Sequence, residues 1–134
     1  MLGASPSHAA DITAAARPGR HGYAGVALAR SRLCEALASR AFGVDVRDLR
    51  APVRCRQRVS RARQIAVYLA HVSFGVSYKE AAQAFGRDPS TVRHACTRIE
   101  DARDDADFDH TLLRLEQAAR AFDHAFGRLA LEAL

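Results

Sequence analysis

The 134-residue sequence predicts an all-α protein, a small helical bundle closed by a long C-terminal helix. Three observations carry this reading. Apolar residues recur at the three- and four-residue spacing of helices from residue 26 onward. Helix-starting and helix-stopping residues, among them Ser77, Asp88-Pro89, Gly43, Gly75 and Gly86, fall where the periodic stretches begin or end. No alternation of strand and helix patterns and no internal repeat is found. The length and the 49% hydrophobic content suffice for one modest core and leave little room for a second, so one domain over 23–134 is expected.

Residues 1–22 are Ala, Ser, Gly and Pro with scattered charge and read as a disordered N-terminal arm, in preference to an Ala/Arg-rich transit peptide. A first helix is expected over 26–42, with Leu33, Leu37 and Ala41 on its apolar stripe, Ala29 and Ala36 beside it, and Gly43 as its stop. Val44, Val46 and Leu49 suggest a short helical turn before Pro52, and an arginine-dense loop follows. Ile65, Leu69 and Val72, with Ala66 and Tyr68 alongside, mark a helix over about 60–74. Ser77-Tyr78-Lys79-Glu80 is a capping box: the serine hydroxyl accepts from the third amide while the glutamate reaches back. The short helix it starts ends at Gly86, which takes a left-handed turn at little cost. Asp88 as N-cap and Pro89 at the first helical position then restart the chain for a helix to about residue 103.

Beyond Asp104 an apolar stripe runs through Phe108, Leu112, Leu115, Ala119, Phe122, Phe126 and Leu129. It predicts a long final helix packed on its own domain. Homodimerisation through the far end is the alternative, against which stand Ala119, Gly127 and the shortness of the repeat.

Charge narrows the function. The chain carries 20 Lys+Arg against 15 Asp+Glu, but residues 1–99 hold sixteen basic and six acidic side chains whereas 100–134 hold four and nine, so the first part is the candidate for a polyanionic partner. Lys79 is the single lysine; the other cations are guanidinium groups, suited to phosphate forks and base edges. Cys34, Cys55 and Cys96 lie far apart without CxxC spacing, which argues against a zinc ribbon or a disulfide framework. No apolar run approaches a membrane span and no secretory core is seen, so a cytoplasmic, nucleoid-associated location is expected. The histidines form no HExxH, and His94 and Cys96 point to different sides of a helix. The aspartates at 101, 104, 105, 107 and 109 lack the glycine and glutamate of a calcium loop, so no metal is expected.

On a helical wheel, Val92, Ala95, Cys96 and Ile99 share one side while Ser90, Arg93, His94 and Thr97 point away. A capped short helix, a glycine turn and a second helix with polar residues in its first turn form the helix-turn-helix order over 77–101, in which the second helix enters a major groove. Upstream, Arg54, Arg56, Arg58, Arg61 and Arg63 fall within ten residues, a density that calls for anionic contact, either at phosphates or in a narrow minor groove.

The run from Arg61 to Ala70 (RARQIAVYLA), the Ser77-x-x-Glu80 box and the stretch from Ala84 to Glu100 (AFGRDPSTVRHACTRIE) resemble the C-terminal, TrpR-like DNA-binding domain of the bacterial replication initiator DnaA. The similarity covers roughly 33–120 and is loose before Arg61. It implies base or adjacent phosphate roles for Arg87, Asp88, Ser90 and Thr91, a match of Arg63 and Gln64 to the family's arginine-glutamine pair, and phosphate contact at Ser77, Tyr78 and Lys79. The family's minor-groove arginine falls in register on Cys55, so Arg54 or Arg56 has to substitute. Three departures stand out: the base-reading histidine of the family is Pro89 here, its double glycine is reduced to Gly86, and an apolar position is Arg93. Proline has no donor, so one base contact is lost or becomes an apolar touch, and Arg93 adds a contact.

No GxxxxGK[ST] loop occurs in this sequence, so neither ATP hydrolysis nor a nucleotide cofactor is expected, and the protein is read as a non-enzyme. The expected function is sequence-specific binding of double-stranded DNA, regulating transcription or replication initiation by site occupancy. The alternative is a protein-interaction module that keeps the fold and has lost specific readout.

Overall fold

The computed structural model describes residues 20–51 and 57–133, with side chains described for 25–51 and 57–129. The described residues form six helices and no strand: α1 (Arg20–Phe42), α2 (Val46–Arg50), α3 (Gln57–Phe74), α4 (Tyr78–Phe85), α5 (Pro89–Ala102) and α6 (Ala106–Ala133). The all-α expectation holds. The arm expected over 1–22 ends earlier, since α1 is already helical at Arg20; the rest of that arm lies outside the described residues.

The most buried element is α3. Ile65, Ala66, Leu69 and Ala70 are fully covered, with α1 on one side and α5 on another. The core face of α1 differs from the expected one. Ala27, Ser31, Cys34, Glu35 and Ala38 are buried, whereas Leu33 and Leu37 are half-buried and Ala29, Ala36 and Ala41 exposed. The large aliphatics mark the flank of the seam. Small side chains line its centre because they let two helix backbones approach closely, and Glu35 enters because cations meet it there. Its carboxylate, 1% exposed, accepts from Arg50 Nη2 at 2.6 Å and Nε at 3.0 Å, with Arg32 3.6 Å away. Arg32 in turn donates to the Ala84 carbonyl at 2.9 Å, tying α1 to the end of α4.

A second network forms around a half-buried cation. Arg103, the C-cap residue of α5, donates to Asp109 at 2.5 Å, to Glu116 at 3.0 Å and to the Tyr68 hydroxyl at 3.0 Å. The Tyr68 hydroxyl donates onward to Glu100 at 2.9 Å. Burial opposes the guanidinium charge, but the bonds to Glu116, Asp109 and Tyr68 outweigh it and hold Arg103 above the ordinary arginine value. The acidic stretch after residue 99 is therefore partly structural. Glu100, Asp109 and Glu116 serve this network, and Asp105 caps α6 by accepting from the amides of Asp107 and Phe108.

The long helix is buried only over its first half. Leu112 and Ala119 are covered, but Phe122, Phe126 and Leu129 are 48%, 59% and 58% exposed. The expectation that the whole stripe packs on the domain is corrected: beyond Ala119 the helix is tied to the body by Asp123, which accepts from Arg30 of α1 at 3.1 and 3.2 Å. No helix among the described residues is long and apolar enough to cross a membrane.

Two predictions follow from the buried network. Removing one partner of a buried ion pair leaves the other charge uncompensated, so Glu116→Ala should lower the unfolding free energy by about 3 kcal/mol, read from the urea midpoint. Burial pushes the Tyr68 phenol from 10.0 up to about 12, the Arg103 bond opposing and Glu100 assisting. The unfolded chain loses this proton first, so folding stability should fall as pH rises from 10 to about 12. Tyr68→Phe should remove that slope and abolish the late step in a phenolate absorbance titration.

Candidate nucleic-acid interface

The short helix α4 starts where the capping box predicts. The Ser77 hydroxyl accepts from the Glu80 amide at 3.0 Å, and Glu80 Oε1 accepts from the Ser77 amide at 2.9 Å. At its far end Gly86 has φ 63°, and the Arg87 amide donates back to the Ala82 carbonyl at 2.9 Å. This left-handed turn re-aims the chain into α5, and a side chain at position 86 would strain it. Asp88 occupies the N-cap position of α5 with extended backbone but makes no side-chain cap bond. The expected cap is thus geometric only, and the carboxylate sits at the exposed surface.

The two faces of α5 match the wheel. Val92, Ala95, Cys96 and Ile99 are buried against α3 and α4, while Pro89, Ser90, Thr91, Arg93, His94 and Thr97 are exposed. The Thr97 hydroxyl donates to the Arg93 carbonyl at 3.1 Å, one turn back. Burial, with Glu100 nearby, pushes the Cys96 thiol up to about 11, so it is an inert core group.

Between α3 and the start of α5 lies a shallow hollow of about 110 Å³. Ser60, Arg63 and Gln64 rim it from α3, and Arg87, Thr91 and His94 from the other side. Its walls include Val67, Val92 and Ala95. Residues expected to act together from separate parts of the sequence, Gln64, Thr91 and His94, are thereby brought to one place.

The arginines divide into distinct roles. Arg63 Nε donates to the Leu49 carbonyl at 2.7 Å and its Nη2 to the Asp48 carbonyl at 3.2 Å, at the C-terminal end of α2, where helix carbonyls lack a full set of intrahelical partners. Arg87 Nη2 donates to the Ala51 carbonyl at 2.8 Å. Both therefore brace the backbone that precedes the basic loop, a role the sequence does not reveal. Arg61 is removed from the expected surface: half-buried, its Cζ lies 5.5 Å from the centre of the Phe108 ring. It turns away because α3 carries Ser60, Arg63 and Gln64 toward the hollow and Arg61 on another flank. Arg54 and Arg56, like Cys55, lie outside the described residues.

Ser77 and Lys79 are exposed at the start of α4 and Tyr78 is half-buried there. The Tyr78 ring stacks on His71, centroids 4.3 Å apart, and Arg93 Cζ stands 5.2 Å from the tyrosine centroid. Two further surface residues were missed in the sequence. Ser60 lines the hollow, and Arg98 is exposed one turn beyond His94; the four-residue spacing from His94 was the available signal for Arg98. Among the described residues no group of three or more His, Cys, Asp or Glu is arranged to hold a metal ion.

A short capped helix, a left-handed glycine turn and a second helix with its apolar side anchored and its polar side exposed define a helix-turn-helix protein. Residues 35–99 match the family described as the bacterial DnaA protein helix-turn-helix. The match takes in the helix-turn-helix, α3 and the end of α1, and is a similarity to that family over just under half of the chain. It is 40% identical over 87 residues to the chromosomal replication initiator protein DnaA of Acinetobacter baumannii and 38% identical over 87 residues to that of Acinetobacter baylyi. Each of these alignments covers 61% of this chain and 18% of the relative. The DnaA of a Picosynechococcus species is 38% identical over 64 residues, 47% of this chain and 14% of that protein.

The capping box fixes where α4 begins and hence where Tyr78 stands. Ser77→Ala should lower stability by about 1 kcal/mol in thermal or urea unfolding, while Ser77→Asp, which keeps an acceptor, should restore most of it.

Proposed function

We propose that this chain binds double-stranded DNA sequence-specifically by laying α5 in a major groove, and that it acts by occupying its site, as a transcription regulator or a modulator of replication initiation. The single observation that carries this reading is the exposed strip of Ser90, Arg93, His94 and Thr97 on a helix whose other side is buried. Donors, acceptors and methyl groups on a rigid helix are what distinguishes base edges in the wide groove. Asp88, Thr91 and Gln64 extend the strip toward the hollow, whose apolar walls suit the methyl group of thymine. Ser77, Tyr78 and Lys79 meet phosphates at the start of α4. Arg54 or Arg56 supplies the contact to the neighbouring minor groove. The replication half of the proposal draws on the relatives, which are named chromosomal replication initiators. Binding needs neither a nucleotide nor a metal, and the chain performs no catalysis.

A second reading, a module that contacts protein instead of DNA, draws on the exposed Phe122, Phe126 and Leu129 of α6, a ridge that also suits pairing with a second copy.

A mobility-shift titration with random and DnaA-box duplexes at several salt concentrations separates the two. Specific retardation should weaken steeply with salt, each neutralised phosphate contributing about −0.9 to the log–log slope. Gln64→Ala and Ser90→Ala should narrow the gap between specific and random duplexes. Absence of any shift at low salt would sink the DNA reading and leave the second.

A further inference from the structure

Tyr78, His71 and Arg93 form a stack that the helix-turn-helix fold does not itself require. Tyr78 is the first residue of α4, His71 lies near the end of α3 and Arg93 stands on α5, so three helices meet on one ring. The tyrosine and histidine planes are inclined by 21°. His71 is tied in turn: its Nδ1 donates to the Val76 carbonyl at 2.8 Å, which places the ring proton on Nδ1. The platform is half-buried and bonded to backbone, while the guanidinium it carries is exposed.

A guanidinium over an aromatic ring is attracted by the negative face of the ring, and its N–H groups remain available at the edge. The Arg93 guanidinium makes no hydrogen bond or ion pair with a described residue. It sits three residues after Ser90 and four before Thr97, on the flank of the exposed strip that faces α4. A planar fork held by its face, its donors unused, at the edge of a helix that enters a groove, is preorganised for a planar acceptor pair.

We propose that Arg93 reads a guanine, its fork donating to O6 and N7, and that the Tyr78–His71 pair is the positioning platform that sets the plane of that fork. The proposal rests on the duplex-binding reading above. Guanine is favoured over phosphate because a phosphate needs only a nearby cation, which unanchored Lys79 and Arg98 supply, whereas the two-acceptor edge of guanine rewards a fixed plane. The Tyr78 hydroxyl has no partner among the described residues, so the platform under Arg93 uses the ring alone and the hydroxyl is left to the phosphate contact, which bears on affinity and not on base preference.

The test is selection of bound duplexes from a random pool by the full chain and by Arg93→Ala, Arg93→Lys, Tyr78→Phe and Tyr78→Leu, with circular dichroism to confirm folding. The wild-type pool should contain a guanine position preferred by roughly tenfold. Arg93→Ala and Arg93→Lys should flatten that position and leave the others. Tyr78→Phe should keep it, and Tyr78→Leu should weaken it although Arg93 is intact. A pool without such a guanine, or one in which it survives Arg93→Ala, would overturn the proposal. So would an Arg93→Ala variant that binds all sequences equally less well with a salt slope lower by about 1, the mark of a phosphate contact. Failure of the wild type to retain any duplex would instead overturn the DNA reading beneath it.

Discussion

The position of α5 depends on how Arg103 is held. It ends α5, and its guanidinium collects Asp109, Glu116 and the Tyr68 hydroxyl, joining the last turn of α5 to α3 and α6. A guanidinium largely withdrawn from water, paired with the buried Glu116, is favourable only when its donors are matched, and losing one partner strands the rest. Glu35 does the converse on α1: a carboxylate with 1% exposure met by Arg50 and approached by Arg32. Arg32 continues to the Ala84 carbonyl at the end of α4. The α4–α5 pair is thus held through Arg103 at the end of α5 and through Arg32, beside the buried Glu35, at the end of α4.

This clamping explains the division of labour among the arginines. Guanidinium groups carry five donors in a fixed fork, so one side chain can satisfy two carbonyls at a helix end. Arg63 does so for Leu49 and Asp48, and Arg87 reaches Ala51. The two residues that most resemble phosphate or base contacts by position also shape the chain entering the basic loop. Arg93 is different in kind: its guanidinium lies over the Tyr78 ring and makes no hydrogen bond or ion pair with a described residue.

Much of the architecture was legible because the signals were local. The capping box at Ser77, the glycine at 86 and the proline at 89 each act within one helical turn, and the buried face of α5 follows from the period alone. The parts that were not legible depend on partners distant in sequence. The large aliphatics of α1 suggested a core face, yet the seam is lined by Ala27, Cys34 and Ala38 because α3 lies close. The aspartates after residue 100 read as solvated charge, and nothing local distinguishes Asp109, which meets Arg103, from Asp104, which is exposed. Arg61 belongs to a basic run by composition, but its Cζ lies over Phe108, 47 residues later in the chain. The stripe of α6 continued past the body that covers its first half, since periodicity records an apolar face and not what meets it.

The separation between the two sides of α5 bears on how such a protein can change over evolutionary time. The side chains that anchor the helix are buried apolar groups and a salt-bridged network at its end, whereas Ser90, Arg93 and His94 contribute no hydrogen bond from their side chains to described residues. Substitution on the outer strip therefore costs little folding stability, because surface changes away from caps and networks are nearly neutral. The outer strip can change its chemistry by substitution while the scaffold behind it keeps its fold.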